Sequence, residues 1–211
     1  MSTATRRRLV AGGLGLAALV VIVLAWKAVT WQSSATGRGR EGASLSGPDL
    51  GVTIYPVGAR PTAPDVEGRS LDGKRLDLAD LRGQVVVINV WGSWCSPCRA
   101  EAPALVRASR ELRTSGVTFI GVDTRDSLGA AKAFMRRYGI EYPSFDDRAG
   151  SVLVRFSELV PIGAIPSTLV IDPQGQVSGR VIGKVDYTTL RGLIDDTLST
   201  STPRATAQDK P

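Results

Sequence analysis

The hydrophobic positions of this chain form two kinds of run. One is a long unbroken apolar stretch near the N-terminus, Leu9–Trp26, and the other is a series of short apolar runs between about residues 70 and 200. Short runs rich in β-branched residues are typical of strands buried on both faces, whereas apolar residues spaced three and four apart indicate helices. The second part of the chain is therefore predicted to alternate between strands and helices.

This alternation predicts an α/β fold with a central mixed sheet and helices on both of its faces. A hairpin turn signal at 71–74 comes before the first core strand, and a turn at 173–176 joins the last two strands. The predicted strands are Val85–Val90, Val117–Val122, Thr168–Ile171 and Val177–Ile182. The predicted helices are Glu101–Arg113, Leu128–Tyr138 and Tyr187–Leu198.

The N-terminal apolar stretch predicts a membrane span. Crossing the hydrocarbon core takes roughly 20 apolar residues, so residues 9–31 are predicted to form a transmembrane signal anchor. The basic segment 1–8 precedes it, and the positive-inside rule then places the N-terminus in the cytoplasm and the remainder outside. Two alternatives stay open, a cleaved signal peptide with a weak cleavage site at 33–35 and a twin-arginine signal at Thr5–Leu9. All three place the folded part outside the cytoplasm, where disulfides form.

The remaining segments follow from composition. Residues 32–52 are rich in glycine, serine and arginine and are predicted to be a flexible linker. Residues 53–200 are predicted to be the folded domain, and residues 201–211 a disordered tail.

The net charge of +6 does not indicate nucleic-acid binding. Residues 1–40 carry six basic residues and no acid, whereas residues 41–200 carry 18 basic and 19 acidic residues. A nucleic-acid-binding domain needs a basic stripe on its folded part, and this domain is nearly neutral.

Both cysteines of the chain, Cys95 and Cys98, lie in the stretch WGSWCSPCRAE, and the chain contains no histidine. A structural staple is a poor interpretation, because so short a loop restricts the unfolded chain little. A zinc site needs four sulfur or nitrogen ligands, which one chain does not offer and only a dimer could supply. A redox pair fits best, because CxxC beside a βαβ pattern is a thioredoxin-like signal.

The predicted position of the pair supports redox chemistry. Cys95 would lie at a helix N-terminus, where the backbone N–H groups and the helix dipole stabilise a thiolate and lower its pKa. Cys98 would lie one turn further along the same face, where it can resolve a mixed disulfide. Pro97 fits the first helical turn, because it lacks an N–H group that would go unused there.

The chain resembles the TlpA/ResA/CcmG-like family of membrane-anchored, thioredoxin-fold thiol-disulfide oxidoreductases. The resemblance runs from about Gly58 to Leu198. It rests on APDVEGRSLDGKRLDLADLRGQVVVINVW, WGSWCSPCRAEAP, FMRRYGIEYPSFDD and GAIPSTLVIDPQGQV, in that order. It implies a thioredoxin-like fold with an N-terminal β-hairpin extension and a central insert, following one transmembrane helix.

The resemblance also implies roles for single residues. Cys95 would be the nucleophile and Cys98 the resolving cysteine. Pro166 matches a cis proline that faces the disulfide in the family, so Ile165 would present its backbone to substrate; the alternative is an ordinary turn proline. Trp94, Ser96 and Pro97 would contact the substrate.

Glu101 matches a glutamate that ResA-like proteins use near the thiols. It would exchange a proton with Cys98; the alternative is a solvated helix glutamate. Plain thioredoxin carries a buried aspartate where this chain has Asn89. Since Asn89 cannot titrate, we expect Glu101 to take over the proton role.

These observations predict a disulfide reductase that acts on protein disulfides and needs no cofactor beyond the redox-active Cys95–Cys98 disulfide. The resemblance suggests apocytochrome c or its haem-ligation partners as substrates, in cytochrome c-type biogenesis, and a membrane electron donor for re-reduction. An oxidant of secreted proteins is the main alternative, although the histidine usual between DsbA-like cysteines is absent. A thiol peroxidase should carry threonine where Gly92 stands, and a copper carrier would need a histidine.

Overall fold

A computed structural model describes residues 51–201 of the chain. It contains eight strands: β1 (Gly51–Ile54), β2 (Glu67–Arg69), β3 (Arg75–Asp77), β4 (Val85–Trp91), β5 (Val117–Thr124), β6 (Ser144–Asp147), β7 (Ser167–Ile171) and β8 (Val177–Ile182). It contains four α-helices: α1 (Ser96–Glu111), α2 (Leu128–Tyr138), α3 (Ser151–Arg155) and α4 (Tyr187–Ser201). A short 3₁₀ helix, Leu78–Leu81, follows β3.

Six strands form one mixed sheet in the order β1-β8-β7-β4-β5-β6. β4, β5 and β6 run parallel to one another, and β7 runs antiparallel to both β4 and β8. The strands β2 and β3 form a separate antiparallel hairpin. The predicted central mixed sheet and the predicted N-terminal hairpin are therefore both confirmed.

The core lies on both faces of this sheet, because successive side chains of a strand point to opposite sides. Val85, Val87 and Trp91 of β4 face a cluster that includes the apolar sides of α1, α2 and α4. Val86 and Ile88 face a second cluster, which α3 and the segment around the hairpin cover. Burial on both faces explains why the sequence of β4 is a continuous apolar run.

The helix ends follow local sequence signals. Cys95 is the N-cap of α1, and the side chain of Ser127 caps α2 by accepting the N–H of Ala130 at 3.2 Å. Gly139 ends α2 with φ 67°, a left-handed conformation that glycine adopts without a steric penalty. These signals explain why the predicted bounds of α2 agree with the structure.

Several features differ from the predictions. Helix α1 begins at Ser96 and ends at Glu111, not at Glu101 and Arg113, and helix α3 was not predicted. Gly51 and Val52 were placed in the linker but begin β1, because their backbones pair with Ile182 and Val181. Strand β6 was missed because its sequence, SFDD, has no apolar alternation, and its pairing with β5 brings it into the sheet. Helix α4 continues to Ser201, which was placed in the tail.

The predicted basic segment 1–8, membrane span 9–31 and nearly all of the linker and tail lie outside the described residues. Within residues 51–201, no helix combines the length and the apolar character needed to span a bilayer.

A buried ion pair links the two ends of the folded domain. Arg60 donates from Nη1 to Asp172 Oδ2 at 2.9 Å, and the two side chains are only 4% and 3% exposed. Arg60 also donates to Thr200 Oγ1 in α4 at 2.8 Å, and Asp172 accepts the N–H groups of Gln174 and Gln176. The pair therefore ties the segment after β1 to the β7–β8 turn and to the last helix.

We expect Arg60→Ala to lower the free energy of unfolding by roughly 3–5 kcal/mol, because it leaves the Asp172 carboxylate buried without its counter-charge. Arg75→Ala is the matched control, since Arg75 makes ion pairs at the exposed surface, which contribute little to stability. Urea unfolding measures both variants. Equal losses in the two variants would contradict this account of the buried pair.

Candidate active site

The two cysteines form a disulfide at the start of α1, with an S–S distance of 2.08 Å. Cys95 is the N-cap residue, and its Sγ accepts the backbone N–H of Cys98 at 3.2 Å. The two residues are 4% and 2% exposed, whereas the neighbouring Ser96 and Pro97 are exposed. The disulfide thus lies just beneath the surface at the positive end of the helix dipole.

The loop that leads from β4 to Cys95 is anchored on the C-terminal end of β5. The N–H of Ser93 donates to Asp126 Oδ2 at 2.6 Å, and Trp94 Nε1 donates to the carbonyl of Thr124 at 3.4 Å. On its other side, the carbonyl of Ser93 accepts Arg99 Nη1 at 2.9 Å. These contacts hold the chain immediately before Cys95 in place.

Gly92 is required by the close approach of Trp94. A Cβ atom at position 92 would lie 2.6 Å from Trp94 Nε1 and 2.8 Å from Cε2. A threonine, which a thiol peroxidase would carry at this position, would displace the indole ring. Trp94 itself is 50% exposed, whereas Trp91 belongs to the core, where it stacks on Phe134 with ring centroids 4.7 Å apart.

The Ile165–Pro166 peptide bond is cis, as expected. Pro166 directly precedes β7, whose first residue Ser167 pairs with Val90 near the end of β4. The carbonyl of Pro166 accepts the N–H of Gly183 at 2.9 Å. Because Ser167 lies beside the end of β4, the proline loop lies at the same edge of the sheet as the disulfide. Pro166 is buried and Ile165 is half-buried.

Glu101 lies in α1, three residues after Cys98, and is only 1% exposed. Its Oε1 accepts Asn89 Nδ2 at 2.8 Å, and its Oε2 accepts the N–H of Val185 at 2.9 Å. Burial raises the pKa of Glu101 to about 7, and the two hydrogen bonds together with the charge of Lys184 only partly offset it. Glu101 is therefore not the solvated helix glutamate of the alternative interpretation.

A second buried carboxyl lies on β5, at a position that is not among the predicted site residues. Asp123 pairs with Trp91 of β4, is 0% exposed, and has no hydrogen-bond donor to either oxygen among the described residues. Burial and the neighbouring carboxylates, Asp126 first and then Asp146 and Asp147, raise the pKa of Asp123 to about 8. The sequence signal for this buried carboxyl is the pair of acids Asp123 and Asp126 in VDTRD, at the end of an apolar run.

The structure brings most of the predicted site residues together at one edge of the sheet: residues 94–98 follow β4, and Ile165 and Pro166 precede β7. Glu101 lies further along α1 and is buried. Asn89, predicted only as a residue that cannot titrate, donates a hydrogen bond to Glu101. Its Nδ2 also lies 3.3 Å from Thr168 Oγ1, and Thr168 is not among the predicted site residues. Within residues 51–201, no three cysteine, aspartate or glutamate side chains are grouped so as to hold a metal ion.

The sequence profile of the AhpC/TSA family matches residues 59–180, more than half of the chain. The thiol-disulfide oxidoreductase ResA of Bacillus subtilis is 30% identical over 166 residues, which cover 75% of this chain and 88% of the relative. The chain belongs to the ResA/CcmG-like branch of the AhpC/TSA family. It is a protein thiol-disulfide oxidoreductase with a thioredoxin-like fold.

Solved structures agree with this membership. A secreted thiol-disulfide isomerase of Corynebacterium glutamicum superimposes with a TM-score of 0.64 at 29% identity, covering 77% of this chain and 96% of that protein. A DsbF homologue of Corynebacterium diphtheriae superimposes with a TM-score of 0.62 at 29% identity, covering 75% of this chain and 96% of that protein. The thioredoxin-like fold is therefore shared with solved structures of this activity class.

We expect Asp123→Asn to stabilise the protein at alkaline pH. The pKa of Asp123 lies at about 8 in the folded protein and at 3.8 ordinarily, so the folded state holds a proton that the unfolded state has lost. Wild-type stability therefore declines as pH rises from about 4 to about 8, and asparagine removes this decline.

The gain in the free energy of unfolding at about pH 9 should be at least about 1.4 kcal/mol, which corresponds to a tenfold change in proton affinity. Urea unfolding across the pH range measures it. Asp65→Asn is the matched control, because its side chain is 80% exposed. Parallel stability curves for both variants and wild type would contradict the account of Asp123.

Proposed function

We propose that this protein is a disulfide reductase that works outside the cytoplasm through Cys95 and Cys98. The observation that carries the proposal is the position of Cys95 as the N-cap of α1, with its Sγ accepting a backbone N–H group at 3.2 Å. The same N–H group and the helix dipole would stabilise the sulfur as a thiolate once the disulfide is reduced. A stabilised, near-surface thiolate is the attacking group that disulfide exchange needs.

The exchange would proceed in two steps. The Cys95 thiolate attacks one sulfur of the substrate disulfide, forms a mixed disulfide and expels the other substrate sulfur as a thiolate. The Cys98 thiolate then attacks Cys95 Sγ, which releases the second substrate sulfur and forms the Cys95–Cys98 disulfide. Two electrons pass to the substrate, and its two thiolates take up two protons, one released by Cys98 and one from solvent.

Glu101 is the group proposed to move one of these protons. It lies three residues after Cys98 on the buried side of α1, and its pKa of about 7 lets it both hold and release a proton near neutral pH. In the resolving step it would take the proton from the Cys98 thiol. Asn89 and the Val185 N–H would hold the carboxyl in place through their hydrogen bonds.

The direction of electron flow is proposed from the residues between the cysteines. Ser96 and Pro97 stand there, and the chain has no histidine that would stabilise the reduced thiolate as strongly as in DsbA-like oxidants. The exposed Trp94, Ser96 and Pro97 would contact the substrate beside the attacking sulfur. The backbone at Ile165, before Pro166, would pair with an extended substrate segment.

The location and the partners are also proposals. Residues 9–31 would anchor the protein in the cell membrane, with the N-terminus in the cytoplasm and the catalytic domain outside. Substrates would be protein disulfides, with apocytochrome c or a haem-ligation protein as the proposed specific case. A membrane electron donor would re-reduce Cys95–Cys98, and no further cofactor would be needed.

We expect the reduction potential of the Cys95–Cys98 pair to lie near or below about −270 mV, the value of thioredoxin. Equilibration of the protein in thiol buffers of known potential measures it, with the change in tryptophan fluorescence as the readout. A value near about −120 mV, that of DsbA, would reverse the proposed direction and make the protein an oxidant.

The order of attack has its own test. Cys98→Ser should accumulate a mixed disulfide with a model disulfide substrate, because the resolving thiol is gone, whereas Cys95→Ser should form none. Mass spectrometry of the trapped species distinguishes the two variants. A stable adduct on Cys98 in the Cys95→Ser variant would reverse the assigned roles.

Glu101→Gln should slow disulfide exchange by about 10-fold to 100-fold at neutral pH and remove the rate change centred near pH 7. Stopped-flow rates between about pH 5 and pH 9 provide the profile. Glu111→Gln is the matched control, because Glu111 lies on the same helix at the exposed surface. An unchanged pH profile in Glu101→Gln would remove Glu101 from the proposed step.

A further inference from the structure

The edge of the sheet that carries the disulfide also carries a row of positive charge. β4, β5 and β8 all end at this edge, and β7 begins there, because β7 runs antiparallel to its two neighbours. The strand order β8-β7-β4-β5 then sets the order of the groups that follow these ends. Across the edge they are Lys184, Pro166, the Cys95–Cys98 disulfide and Arg125.

Contacts fix both ends of this row. Lys184 follows Gly183, whose N–H donates to the Pro166 carbonyl, and precedes Val185, whose N–H donates to Glu101. Arg125 lies between Thr124 and Asp126, the two residues that hold the loop before Cys95. Each cation is therefore attached to a segment that directly contacts the site.

Arg125 also reaches the loop before the cis proline. Its Nη2 lies 3.6 Å from the position that a Cβ atom on Gly163 would occupy, so the guanidinium lies beside this loop. The backbone of Arg125 has φ 52°, an uncommon conformation for a residue other than glycine. Residues held in such conformations cluster at functional sites, because the surrounding structure must enforce them.

Among the described residues, the acids near this row bind backbone N–H groups and form no ion pair with its two cations; Asp186, two residues after Lys184, accepts the N–H of Thr189. Asp126 accepts the N–H groups of Ser93 and Ser127, and Glu101 is buried. Both Lys184 and Arg125 are exposed, and neither forms an ion pair in the part of the chain that the structure describes. The nearly neutral domain thus presents one exposed cation on each side of its redox centre.

Exposed apolar side chains lie at the same edge. Among residues 51–201, four large apolar side chains are strongly exposed, and two of them are Trp94 at 50% and Ile162 at 66%. Trp94 precedes Cys95, and Ile162 lies in the loop that Arg125 approaches. Exposed apolar groups between cations are suited to an amphipathic polypeptide segment.

We propose that Lys184 and Arg125 select substrates whose reactive cysteine lies in an extended segment with acidic residues on both sides. This inference rests on the proposed reductase function and names its substrate class. Neighbouring strands lie about 4.8 Å apart, so the ends of β8 and β5 are about 14 Å apart. About four residues of extended chain cover this distance, which places the two acids about two positions before and after the cysteine.

Three short capped peptides test the proposal. Each carries a single cysteine and is used as its symmetrical disulfide, with glutamate, glutamine or lysine two positions to either side of the cysteine. The reduced full chain reacts with each peptide disulfide in a stopped-flow instrument, and the readout is the ratio of the glutamate-peptide rate to the lysine-peptide rate. The glutamine peptide is the reference for chemistry without charge.

The expected ratio for the wild-type protein is at least about 10 at low ionic strength and falls towards 1 in about 0.5 M salt. The double variant Arg125→Glu/Lys184→Glu should invert it. Arg136→Glu/Arg137→Glu, with the same change in net charge, should leave it unchanged, because these exposed residues lie at the far end of α2.

Two results would overturn the proposal while leaving the proposed function intact. One is a ratio near 1 in the wild-type protein with all three peptides reduced, and the other is an equal change of the ratio in both double variants. A third result, in which no peptide disulfide is reduced, would overturn the proposed function and this inference together.

Discussion

Strand β4 is hydrogen-bonded along both edges, to β5 and to β7, and every one of its seven residues is buried. A strand restrained by two neighbours and by two packed faces has little freedom to shift, because any slip would move its apolar side chains out of both clusters. Cys95 follows four residues after its last residue, Trp91. The position of the disulfide therefore depends on β4. The segment that follows β5 also holds the loop before Cys95 through its hydrogen bonds to Ser93 and Trp94.

Two buried carboxyl groups have raised pKa values, Glu101 in α1 and Asp123 in β5, and their surroundings differ. Glu101 accepts hydrogen bonds from Asn89 and from the Val185 backbone, so either protonation state is accommodated and the pKa stays near 7. Asp123 lacks such donors and lies among other acids, which favours the protonated form to about pH 8. The surroundings of Glu101 suit proton exchange near neutral pH. Those of Asp123 lower the stability of the folded protein as the pH rises towards about 8.

Membership of the family accounts for the chemistry of this protein, whereas the proposed choice of substrate rests on its surface charges. The Cys95–Cys98 disulfide provides an exchange centre that many partners could use, with the cis proline at the same edge of the sheet and the buried glutamate in the same helix. The proposed selection depends on Lys184 and Arg125, which are exposed and lie on the segments that follow β8 and β5. Charges at such a rim change encounter rates and the choice of partner more than the chemical step.

By itself the sequence determined the alternation of strands and helices, the redox character of Cys95 and Cys98, and the place of the pair at a helix start, because apolar periodicity and capping signals are local. The family resemblance adds the expectation that Glu101 takes over the role of the buried aspartate of thioredoxin, which stays a prediction. The tertiary structure decided what depends on pairing across the chain: β1 and β6 as edge strands, the Arg60–Asp172 ion pair, and the burial of Asp123. These features join residues far apart in the chain, and no local pattern records which distant backbone or charge a residue will meet.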